Sequence, residues 1–318
     1  NTMKKLLAFC TAVALTVVIL AGCDTQNTTT NNGKITVVTT LFPQYDFVRQ
    51  IAGDYANIEL LLPPGVESHT FDPSPADVMR IHKADVFLYT GLSMEAWAEK
   101  LIADLPSSVH VLNTSQGITL LKNPGGAHNH DHDDHTHTTD DASEYDPHIW
   151  TSPVNAKIMV SNILETLCTA DPANEQAYRA NAQRYLQQLT NLDSEIRAVV
   201  ANGKRRELIF GSRFALFYFT HEYDLSYRSA FDSCSADAEP SAKTVATLID
   251  TVKEEQIPVI YFEELTDPKI ARSVSEETGA QMLLFHSCHN LSKEDFENGA
   301  TYLSLMRQNV QNLEKGLE

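Results

Sequence analysis

The sequence is short of positive charge. Lys and Arg number 24 against 42 Asp and Glu, and the formal net charge is -18. Nucleic acid, whose phosphates need a basic surface, is excluded as a partner. An acidic field instead draws small cations. Long apolar runs are also lacking. The run Leu6–Leu20 falls short of the ~20 apolar residues a spanning helix needs. The HExxH signature of zinc peptidases is absent, and no carboxylate beside the histidines reads as a general base. Cysteine is scarce, five in 318 residues. What remains is globular composition, 42% hydrophobic and 21% charged, with length for two lobes that have separate cores.

The leader is read from Met3, after Asn1 and Thr2. Lys4 and Lys5 precede the apolar run, the order of a secretory signal. The run ends Leu20-Ala21-Gly22-Cys23, which resembles the bacterial lipobox. The resemblance implies that residues 1–22 are a lipoprotein signal peptide and that Cys23 is acylated after cleavage. Residues 23–34, with the polar stretch TQNTTTNNG, form the expected flexible tether. Anchor, tether and domain in that order predict an extracytoplasmic protein held at the cell membrane by lipid. Cys10 leaves with the leader, so Cys168, Cys234 and Cys288 remain. Outside the cytoplasm a disulfide is permitted, and the odd count keeps one thiol free or on a metal. Cys234 and Cys288 both follow predicted strands and are the expected pair. The alternative makes Cys288 a thiolate ligand.

Short β-branched runs alternate with helical stretches on both sides of one long helix. Strands are predicted at Ile35–Thr40, Ile58–Leu62, Val86–Thr90, Val109–Leu112, Glu207–Gly211, Pro258–Phe262 and Met282–Phe285. Ser74-Pro75 and Ser152-Pro153 are helix starts, a cap followed by proline. Asn174–Val200 runs without glycine or proline. Tyr178, Ala182, Tyr185, Leu189, Leu192, Ile196 and Val199 recur there at helical spacing. The expected architecture is α/β: two parallel-sheet lobes, residues 35–170 and 204–318, joined by one long rigid helix within 171–203. Ligands of such sheets collect at the carboxyl ends of the strands.

Histidine clusters in one place. His128, His130, His132, His135 and His137 lie within the loop 125–143, interleaved with Asp131, Asp133 and Asp134. Imidazole with carboxylate suits a borderline divalent ion such as Zn²⁺. The first half of His128–Trp150 has no apolar residue to build a core, so it reads as a mobile metal collector. Beside it, Asp146-Pro147-His148-Ile149-Trp150 reads as a fixed site.

These residues together resemble the zinc-uptake solute-binding proteins of ABC transporters, the ZnuA/TroA-like group. The motifs are GVESHTFDPSP with His69, DPHIWTSP with His148, the His-rich loop, AEPSAK (Ala238–Lys243), and GAQMLLFH ending in His286. The resemblance implies a metal held between two lobes by His69, His148 and His286. A family histidine is replaced by Arg213 in FGSRFALFYF, and arginine cannot ligate. His289, Cys288, Glu263 or a water on Ser212 stand as replacements. The function implied is capture of Zn²⁺ and its delivery to an ABC-type membrane permease by a monomeric, non-enzymatic protein. The rival readings are manganese as ligand, an adhesin on this scaffold, and a zinc hydrolase with an open three-ligand site.

Overall fold

The computed structural model describes residues 33–123, 145–231 and 240–318. The signal peptide, Cys23, most of the tether, the five loop histidines and Cys234 lie outside the described residues.

Two parallel sheets are present among the described residues, as the alternation predicts. The first comprises β1 (Ile35–Thr39), β2 (Ala56–Leu60), β3 (Val86–Tyr89) and β4 (His110–Asn113), in the order β2-β1-β3-β4. Ile35 pairs with Ala56 and Thr39 with Leu60, while Val86 pairs with His110. Its helices are α1 (Phe42–Ala52), α2 (Pro75–His82) and α3 (Ala98–Ala103). The second sheet comprises β5 (Glu207–Phe210), β6 (Ser226–Ser229), β7 (Val259–Phe262) and β8 (Gln281–Leu284), in the order β6-β5-β7-β8. Each sheet is therefore entered at an inner strand, and its strand ends collect on one side.

Between the sheets run α4 (Pro153–Ala170) and α5 (Glu175–Asn202). At 28 residues and 1.5 Å per residue, α5 is roughly 40 Å long. Its buried stripe is Tyr178, Ala182, Tyr185, Leu189, Leu192, Ile196 and Val200. Val200 takes the last place expected of Val199, a one-residue phase drift over the helix. The second lobe adds α6 (Phe217–Glu222), α7 (Ala242–Glu254), α8 (Lys269–Thr278), α9 (Lys293–Glu297) and α10 (Tyr302–Leu317). Both predicted cap-plus-proline starts form. Ser74 Oγ accepts the Asp77 amide, and Ser152 Oγ accepts the Asn155 amide. Gly279, at φ 78°, closes α8 in the left-handed conformation that glycine adopts without steric cost.

Separate cores do not describe the packing. Among the described residues one apolar cluster runs through both lobes. It joins Phe47, Val48 and Ile163 to the α5 stripe and on to Phe210, Phe219, Phe285 and Tyr302. Smaller clusters sit on the outer face of each sheet, around Phe87 and Ile81 in one and Ile209 and Val274 in the other. The physical reason is α5, whose apolar face is shared by helices of both halves: α1 and α4 from one side, α10 from the other. Ile35–Glu318 accordingly make one compact unit.

Candidate metal centre

Three loops bring side chains to the cleft. The first follows β2 and turns at Gly65, whose φ of 84° favours glycine. It carries Glu67 and His69. The second carries Asp146 and His148, then continues as a single 3-10 turn, Ile149–Thr151. The third is the strap Phe285–Leu291 beyond β8, which carries His286, Cys288 and His289.

His69, His148 and His289 converge. The Nε2 atoms of His69 and His148 are 3.3 Å apart. Ring centroids are 5.2 Å apart for His69–His148 and 6.0 Å for each of the other two pairs. A carboxylate oxygen of Glu67 and one ring nitrogen each of His69 and His289 lie within 4.8 Å of one another. Two of the rings are held from behind. Asp146 Oδ1 is 3.1 Å from His148 Nδ1 and accepts the His148 amide at 2.9 Å. His289 Nδ1 bonds Ser287 Oγ and is 3.2 Å from Glu264 Oε1. At His148 the carboxylate on Nδ1 orients the ring so that Nε2 faces His69 in the cleft.

The same burial that orients these rings moves their proton equilibria. Burial pulls His69 down to about 2, helped by the neighbouring His148, His289 and Arg213. Burial also pulls His289 down, but the hydrogen bond and charge of Glu264 outweigh it and lift the ring to about 9. Glu264 is pushed up by burial, yet His286, His289 and Ser287 hold it well below the carboxylate range. Glu263 is raised by burial and by its neighbour Glu264. Glu264 therefore behaves as the fixed negative charge beneath the strap.

The strap also ties the loops together. Asn290 Nδ2 donates to the carbonyls of Pro63 and Val66, at 2.9 and 2.8 Å. Leu291 O accepts the Gly65 amide at 2.7 Å. Trp150 Nε1 donates to Ser287 O at 2.8 Å, and Tyr302 Oη donates to Trp150 O at 2.6 Å. Tyr218 Oη donates to Asp146 O at 2.9 Å and accepts the Leu121 amide. The cavity bounded by Glu67, His69, Arg213, Glu263 and His289 holds about 20 Å³. That is room for one ion or one water.

A profile of the periplasmic zinc-uptake complex component A family, ZnuA, matches residues 37–316. The chain belongs to this family. The zinc-binding lipoprotein AdcA of Streptococcus pneumoniae R6 is 34% identical over 309 residues, 95% of this chain and 59% of that protein. The chain thus spans about three fifths of that relative. The high-affinity zinc uptake system protein ZnuA of Bacillus subtilis 168 is 33% identical over 310 residues, 96% of each. The crystal structure of the Zn(II)-bound ZnuA-like domain of S. pneumoniae AdcA superposes with a TM-score of 0.74 at 33% identity. The match covers 90% of this chain and 99% of that one.

Within the family frame, one expectation needs correction. His286 does not join the convergent rings. Its amide donates to Asn309 Oδ1, its carbonyl accepts from Asn309 Nδ2, and its Nδ1 accepts the Cys288 amide at 2.9 Å. The residue is pinned against α10, with Nε2 buried and unpartnered. Its place toward the cleft is taken by His289, three residues on. Cys288 is a free thiol, and its expected disulfide partner Cys234 lies outside the described residues. Cys288 does not suit a thiolate ligand. It is fully buried, and burial holds the thiol well above its usual range.

Arg213 lines the cavity and pairs with Glu67 across it, Nη1 to Oε2 at 3.5 Å. Ser212 Oγ is spent on the Arg213 carbonyl. Glu67, Asp146 and Glu264 escaped the sequence reading as site residues. The signal was present for two of them: an acid two residues before a site histidine, in Glu67-Ser68-His69 and in Asp146-Pro147-His148.

Proposed function

We propose that this chain is an extracytoplasmic, lipid-anchored solute-binding protein that takes up Zn²⁺ and passes it to an ABC-type permease. His69, His148 and His289 are the assigned ligands. The convergence of these rings, two of them held from behind by carboxylates, is the observation that carries the assignment. Imidazole suits zinc, whereas manganese prefers oxygen donors. Zinc relatives of S. pneumoniae and B. subtilis match 95% and 96% of this chain. A cavity of about 20 Å³ admits an ion and no organic substrate. Capture, not hydrolysis, is the chemistry it supports. The polar tract His128–His137 is assigned to collecting zinc.

Replacing His69 and His148 together by Ala is expected to abolish tight zinc binding to the metal-stripped protein. His286→Ala is the control: stability falls because the residue is buried, but zinc affinity stays within about threefold. Submicromolar zinc binding in the double variant would move the site out of this cleft.

A further inference from the structure

Arg213 is a cation inside a cation site. Its guanidinium lines the same cavity as His69 and His289, and its side chain is 20% exposed. Guanidinium has no lone pair and stays protonated, so it cannot ligate. What it does hold is Glu67. One oxygen of that carboxylate faces Arg213 Nη1 at 3.5 Å, and the other accepts the His69 amide at 3.2 Å. Yet Glu67 is close enough to join an ion among the rings, with an oxygen within 4.8 Å of the ring nitrogens of His69 and His289. Glu67 is thus an oxygen donor in reach of an ion and engaged elsewhere.

We propose that Arg213 sets the metal selectivity of the cleft by withholding Glu67 from the ligand set. The proposal rests on the zinc-binding reading above. With Glu67 paired, the ion loses one carboxylate of the cavity wall, where Glu263 and Glu264 remain beside the imidazoles and the fixed positive charge. A borderline ion that bonds nitrogen well tolerates the loss of one carboxylate. A hard ion such as Mn²⁺, which needs oxygen, does not. The guanidinium also repels any dication in the cavity, and this acts on both metals alike. Selectivity therefore comes from the captured carboxylate, and overall affinity from the charge.

The test uses the full chain, stripped of metal, with three variants. Arg213→Met keeps the stem and removes the charge. Arg213→Lys keeps the charge. The third variant combines Arg213→Met with Glu67→Gln. Zinc and manganese affinities are measured by chelator competition. The Co²⁺ d–d spectrum reports separately on the donor set. Arg213→Met is expected to tighten zinc about tenfold and manganese about a hundredfold, and to shift the Co²⁺ bands as an oxygen joins. Arg213→Lys should keep the wild-type metal ratio. In the double variant the selectivity change should vanish. An unchanged zinc-to-manganese ratio in Arg213→Met would overturn the proposal, as would a ratio that still shifts without Glu67. Absence of zinc binding in the unaltered chain would instead sink the transport reading itself.

Discussion

Asn290 offers the sharpest test of how the cleft is built. It is 1% exposed, and its amide nitrogen bridges the carbonyls of Pro63 and Val66, more than 220 positions away. Its Oδ1 accepts the amide of Leu291 at 2.8 Å. Asn290→Ala removes all three hydrogen bonds. Two of the orphaned groups belong to the exposed residues Pro63 and Val66, so water recovers part of the loss. The Leu291 amide is on a fully buried residue and has no such recourse. At about 1 kcal/mol for each of the first two bonds and about 1–2 kcal/mol for the last, the metal-free protein should lose about 3 kcal/mol. Affinity should fall too. The bridge fixes the turn that carries Glu67 and His69 against the strap that carries His289. Outer supports of metal ligands are typically worth roughly 10–100-fold in affinity. Urea unfolding of the metal-free protein gives the first number, and zinc calorimetry the second. Asn290→Asp, which loses the donors but keeps Oδ1, should fall at least as far in both. A stability loss of this size with zinc affinity unchanged would refute the argument, since the bridge would then hold the fold without setting the site.

Glu95 should make stability pH-dependent. It is buried beneath Thr40, Thr90 and Gly91, and burial raises it from 4.5 to about 7 despite their hydrogen bonds. The unfolded chain loses this proton near 4.5 while the folded chain keeps it, so stability falls as pH rises between 4.5 and about 7. The difference is about 3 kcal/mol at most, and Glu95→Gln should flatten that slope in denaturation curves across the window; parallel curves for the two proteins would remove the effect. Deleting His128–His137 should abolish weak additional zinc equivalents and leave the tight site intact, because a polar tract cannot preorganise a cage. Identical calorimetric stoichiometry with and without the tract would argue against a collecting role.

Much of the architecture was legible in local pattern. The β-branched run Ile35–Thr39 and the apolar run Val86–Tyr89 are strands, and the stripe from Tyr178 to Ile196 lies on one face of a single helix. The strand Ser226–Ser229 was missed. It is the polar sequence Ser-Tyr-Arg-Ser at the edge of its sheet, with no residue fully buried, so no apolar alternation announces it. The short helix Phe217–Glu222 takes in only part of the aromatic-rich stretch from Phe214 to Tyr223.

The sequence by itself determined the alternation of strands and helices, the linking helix, and two of the histidines in the cleft. Those features follow from periods of two and 3.6 residues and from side-chain caps, which act over a single turn. Only the tertiary structure decided between His286 and His289. Both belong to one strap, and composition cannot rank them. The chain reverses between them at Cys288, a non-glycine residue at φ 64°. Asn309 anchors the first histidine, and Glu264 orients the second. The pairing of Arg213 with Glu67 spans 146 positions. Local pattern is blind to such contacts, because they exist only once the shared core around the long helix has brought the two sheets' loops together.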